Sequence, residues 1–192
     1  MNILTDALPK TVDIDGVKYP INTDFRAGIK LECSSMNTEQ EIYDILTAFF
    51  GDKFPADIRG ALDAIMNFYC CGKKPEKNTP NSKRAYSFEV DSEVIFSDFW
   101  NFYNIDLSQE GLHWWVFRAL LFGLPEDSEF KQRTYYRTCD LKGLSKKEKE
   151  RIMRIRSKIE IKSNDAEKIT LEERNERMKA YVQKRQNETK GG

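Results

Sequence analysis

Of the side chains able to do acid–base, nucleophilic or metal chemistry, this chain holds one histidine, His113, and four cysteines, Cys33, Cys70, Cys71 and Cys139. A histidine titrates near neutrality and can serve as a general base or a proton switch. Either role needs a nucleophile or a metal beside it. His113 instead sits in Leu112-His-Trp-Trp115, next to large apolar side chains. A partly buried ring with one or two hydrogen bonds is the expectation. Cys70 and Cys71 are adjacent, which makes a poor bridge, and a single histidine with no CxxC pair argues against a zinc site. Reduced, partly buried thiols are expected. Asp24, Asp91, Asp98 and Asp106 could pair for general acid–base work, yet most are better explained as helix caps or first-turn charges. Phosphate loops of the GxxxxGK[ST] and GxGxxG kinds are absent, as are GxSxG and HExxH. No catalytic site, cofactor or metal is expected, and the chain reads as a protein that works by binding other proteins.

The second notable group is aromatic. Trp100, Trp114 and Trp115 lie close in sequence to Phe96, Phe99, Phe102, Tyr103 and Phe117. Core packing accounts for most of them. Helices this short cannot turn every ring inward, however, and tryptophans are enriched among interface anchors. Trp100 and Trp114 are therefore candidate partner-binding residues.

Around these groups the spacing predicts a mainly α body. Thr11–Ile21 alternates apolar and polar residues about Asp15-Gly16, and Gly accepts the positive φ of a tight turn, so a β-hairpin is predicted over 11–21. Thr23 or Asp24 can cap a helix to about Cys33. Thr38-Glu-Gln-Glu41 is a capping box that opens a helix closed by Gly51. A third helix is predicted from Pro55 to Cys71, with Pro in its first turn. Lys73–Arg84 has no apolar residue beyond its prolines and is expected to be a mobile loop. Helices follow over 91–103, from a Ser108 cap to Phe122, and from Asp127 to Thr138. Ser145-Lys-Lys-Glu148 and Thr170-Leu-Glu-Glu173 are two more capping boxes. The helix predicted over 170–186 has few residues to bury: Leu171, Met178, Tyr181 and Val182. So narrow a stripe is marginal alone and suits docking on a partner, which makes Met178, Tyr181 and Val182 further candidate partner-binding residues.

The chain has 192 residues and no net charge, but the charge is divided. Residues 1–141 carry 15 basic and 22 acidic side chains, a net of −7, and residues 142–192 carry 16 and 9, a net of +7. A compact body over 1–141 and a basic helical appendage over 142–192 are the expected parts. No apolar run reaches the roughly 20 residues of a membrane span, and the first residues lack a secretory layout. The protein is expected to stay in the cytoplasm where it is made. The basic tail could bind nucleic acid, but nine interspersed acids argue against that.

Several strings together resemble the bacteriophage "gene product fifteen" family. They are Asp15-Gly16 with Tyr19-Pro-Ile-Asn-Thr-Asp-Phe-Arg26; Phe88 and Asp91-Ser-Glu-Val-Ile95 with Tyr103-Asn-Ile-Asp-Leu107; and Leu112-His-Trp-Trp-Val-Phe-Arg-Ala-Leu120 with Gly123-Leu-Pro-Glu-Asp127. The resemblance covers most of residues 9–144. It implies a protein of the tail module of long-tailed phages and prophages of Gram-positive bacteria, encoded between the major tail protein and the tape measure. By gene position it implies a tail assembly chaperone that binds the tape measure or the tail-tube protein in the host cytoplasm, with self-association open and no catalytic residues. Two other readings stay open: a structural tail component of the virion, and a nucleic-acid-binding regulator acting through the basic tail.

Overall fold

The computed structural model describes residues 2–73, 84–161, 176 and 180. Among these residues the protein is mainly α, with seven helices and one two-stranded antiparallel sheet. The elements run β1 (Thr11–Ile14), β2 (Val17–Pro20), α1 (Phe25–Cys33), α2 (Glu39–Phe50), α3 (Ile58–Tyr69), α4 (Ser92–Tyr103), α5 (Trp114–Phe122), α6 (Glu129–Thr138) and α7 (Lys146–Ile159).

Two compact units emerge. Of the described residues, 2–73, 111–117, 176 and 180 fall in the first, and 84–110 and 118–161 in the second. The first unit holds the hairpin, α1 to α3 and the opening turn of α5. The hairpin pairs Ile14 with Val17, and Asp15 and Gly16 both take positive φ, 50° and 79°, as a tight primed turn requires. β1 lies close on α3 at Gly60, where a Cβ would stand 2.7 Å from Ile14 Cγ2. Asp24 caps α1 by accepting from the Arg26 amide, and the Thr38–Glu41 capping box on α2 is complete in both directions. The Glu41 carboxyl is held below the ordinary range: burial alone would raise it, but the Ser35 hydroxyl and the Thr38 and Asn37 amides donate to it. Phe25, Leu31, Phe49, Leu62, Ile65, Phe68, Trp114 and Phe117 form the core.

The second unit packs α4 on α6 and α6 on α7. Its buried apolar residues are Phe88, Val94, Ile95, Phe99, Leu107, Leu121, Leu124, Phe130 and Ile152. The Ser145–Glu148 capping box opens α7. α4 ends at Asn104 in the left-handed conformation (φ 54°), where a short polar side chain is tolerated.

Three expectations are corrected. α3 starts at Ile58 rather than at Pro55. Ser108 caps no helix; its hydroxyl donates to Asp106 within a turn. α5 begins only at Trp114, because the chain before it is paired with the entry to α1: the Phe25 amide donates to Leu112 O and the Trp114 amide to Thr23 O. Across the composition change at Lys142, α6 and α7 are hydrogen-bonded to each other. Arg156 of α7 donates to Tyr136 O and Cys139 O at the end of α6, and Arg137 of α6 donates to Ile159 O at the end of α7. Each helix thereby caps terminal carbonyls of the other. The loop expected over 73–84 is described only at its two ends, and the Thr170–Glu173 capping box lies outside the described residues.

Candidate protein-binding surface

The His-Trp-Trp string is a joint between α3 and α5, both in the first unit here. A helix leaves its last carbonyls without partners. Trp114 Nε1 donates to Tyr69 O and Trp115 Nε1 to Phe68 O, each at 2.8 Å. Two indoles thus close the end of α3. The Trp114 ring stacks on Tyr69 with centroids 5.0 Å apart and is 1% exposed. It also lies flat on Gly28, where a Cβ would come within 2.4 Å of Cε3. His113 Nδ1 accepts from the Trp115 amide, so Nε2 carries the proton and donates to Pro9 O. The ring is a bracket held by two hydrogen bonds.

The four aspartates take different jobs. Asp24 is a cap and Asp106 a turn acceptor. Asp91 is fully buried, and Arg137 grips both its oxygens at 2.6 and 2.8 Å, with Arg133 at 3.3 Å. Burial alone would raise its carboxyl, but the Arg137 hydrogen bonds and charge, the Ser87 amide and Arg133 together hold it below the ordinary range. Asp98, 4% exposed, accepts from the Phe130 amide in the first turn of α6. It therefore satisfies an orphan donor of a neighbouring helix. Sequence reasoning assigned neither of these roles. The available signal was that Asp98 stands four residues after Val94 and three after Ile95, on the apolar face of α4. No group of three or more histidine, cysteine or acidic side chains is placed to hold a metal among the described residues. All four cysteines are half-buried thiols.

The outward face of α4 is different in kind. Phe96 is 40% exposed and Trp100 50% exposed, one turn apart on the same face. Glu93, three residues before Phe96, shares that face and is exposed. Of the two tryptophans expected as anchors, Trp100 is therefore outside. Trp114 is removed from the candidates, because its ring is sealed between Gly28, Tyr69 and Phe117. Met178, Tyr181 and Val182 lie outside the described residues. A second exposed surface is basic: Lys147, Arg151 and Arg154 line a groove on α7 with Glu148 and Ile155. No helix of the described residues is long and apolar enough to cross a membrane.

His113, Asp24, Asp91, Asp98 and Asp106 thus serve in capping and packing, while Phe96 and Trp100 are left outside on a mainly helical scaffold. The family model for the Bacteriophage Gp15 protein matches residues 4–161. The chain belongs to this family of phage proteins. The matched span reaches past Lys142 through the whole of α7, in keeping with the shared capping of α6 and α7. No curated protein and no solved structure matches the chain.

Proposed function

We propose that this protein is a phage tail assembly protein, a non-virion chaperone that binds the tape measure protein, the tail-tube protein, or both. Membership of the Gp15 family over residues 4–161 carries the reading, together with the tail-module position that the family resemblance implies. The physical features agree with it. A chaperone of a long helical protein needs solubility and exposed apolar docking points of modest strength, which many repeated contacts convert into firm retention. Phe96 and Trp100 offer one such point. Met178, Tyr181 and Val182 offer another by their spacing. The reading includes no catalytic step, since the one histidine and the buried aspartates are used in structure.

Mass spectrometry of purified particles and of the lysate they came from tests the non-virion part. The protein should be abundant in the lysate and missing from the particles. A fixed copy number per particle would make it a structural tail component instead.

A further inference from the structure

The α4 face combines exposed aromatic rings with an unusual local charge. From Ala85 to Phe117 the chain has no lysine or arginine, and six acids: Glu89, Asp91, Glu93, Asp98, Asp106 and Glu110. Asp91 and Asp98 are spent inside the second unit, but Glu89, Glu93 and Glu110 are exposed. A helix that seats on Phe96 and Trp100 should therefore be apolar along one stripe and cationic beside it, because like charge next to an apolar contact repels the wrong partner.

Two segments of the chain have that composition: α7, which is already hydrogen-bonded to the end of α6 through Arg156, and residues 174–185. Residues 174–185, Arg-Asn-Glu-Arg-Met-Lys-Ala-Tyr-Val-Gln-Lys-Arg, hold five basic side chains and one acid. The sequence spacing of Met178, Tyr181 and Val182 is that of one face at an advance of about 100° per residue. The two described residues nearby, Glu176 and Ala180, are helical and exposed.

We propose that residues 174–185 of one copy dock on the Phe96–Trp100 face of α4 in a second copy. The contact is head to tail, so one copy offers its tail while its own α4 stays available. It buries the two apolar surfaces that a tail-protein partner would use, and a partner that binds either must compete with it. The inference rests on the charge and exposure of these two segments and stands without the chaperone reading.

Sedimentation velocity of the full chain over a dilution series, at low and high salt, tests it. The expected result is reversible, salt-sensitive association. Trp100→Ala should weaken it by at least about tenfold, as an interface tryptophan does. Glu93→Lys should weaken it several-fold and flatten its salt dependence. Tyr181→Asp, which alters the other half of the contact, should match Trp100→Ala. A synthetic peptide of residues 170–186 should dissociate the copies and shift tryptophan emission, since Trp114 and Trp115 are buried and Trp100 is the exposed reporter. Trp100→Ala should keep a thermal midpoint close to wild type, because its ring is half exposed. A monomer at every concentration overturns the proposal. So does association that survives both Trp100→Ala and Tyr181→Asp, or a peptide that leaves the emission unchanged. A monomer whose Trp100 resists quenching until Tyr181 is changed points to the tail of the same copy, and overturns docking between copies.

Discussion

At Gly28 a single hydrogen in place of a methyl decides whether the Trp114 ring fits. The ring cannot retreat, because its Nε1 is tied to Tyr69 O and its faces are stacked on Tyr69 and Phe117. Gly28→Ala should cost about 1–3 kcal/mol, the range for overpacking a filled core. A lower thermal midpoint with retained helical circular dichroism is the expected outcome. Asp91 sets a second residue-scale test. Its folded carboxyl lies below its ordinary value of 3.8, held there by Arg137, Ser87 and Arg133 against the effect of burial. A group depressed in the folded state stabilises above its unfolded value, and that contribution is lost as pH falls through the folded value. The thermal midpoint should therefore fall on acidification below about pH 4. Asp91→Asn leaves Arg137 buried without its charge partner and should cost roughly 3–5 kcal/mol at neutral pH. It should also show a shallower fall below pH 4, when melts of the two proteins are compared across that range.

Among the elements, α6 and α7 are joined by exchanged arginines rather than by a broad apolar seam; Ile152 is the one α7 residue that is buried. Arg156→Ala frees carbonyls at Tyr136 and Cys139 and should cost about 1–3 kcal/mol if they stay dry. In hydrogen exchange the loss should fall on α7 and the end of α6 before other helices. Limited proteolysis tests the same joint: first cuts are expected within 74–83, where the sequence lacks any large apolar residue, or beyond Ile161, and not at 142–161. Early cleavage within 142–161 would show that the helices are separable after all. What could be read beforehand was what is decided locally. The Asp15-Gly16 turn, the Asp24 cap, and the capping boxes at Thr38 and Ser145 depend on residues within a few positions of each other. What could not be read depended on distant partners. The late start of α5 is set by Thr23 and Phe25, nearly ninety positions away. The role of Arg156 is set by the end of α6. Trp100 and Trp114 look equivalent in sequence. Only the placement of Gly28 and Tyr69 sends one inward and leaves the other on the surface.

Among the described residues, α4 exposes Phe96 and Trp100 beside Glu93, while α7 exposes a basic groove. Surfaces that differ this way favour ordered, salt-sensitive binding over indiscriminate aggregation. Replacing Met178, Tyr181 and Val182 together with polar residues should leave both described units folded. It should cost partner binding up to about 1.5–3 kcal/mol for each side chain fully buried on docking, read as a weaker Kd in titration calorimetry. The central claim is that this Gp15-family protein acts by holding a tail protein before assembly. Co-expression of the tagged chain with the tape measure and with the tail-tube protein of the same phage, followed by affinity purification from the soluble fraction, tests it most directly. The account predicts that at least one of the two becomes more soluble and is retained with the tagged chain, less so with Trp100→Ala. Failure of both proteins to be solubilised or retained would contradict it.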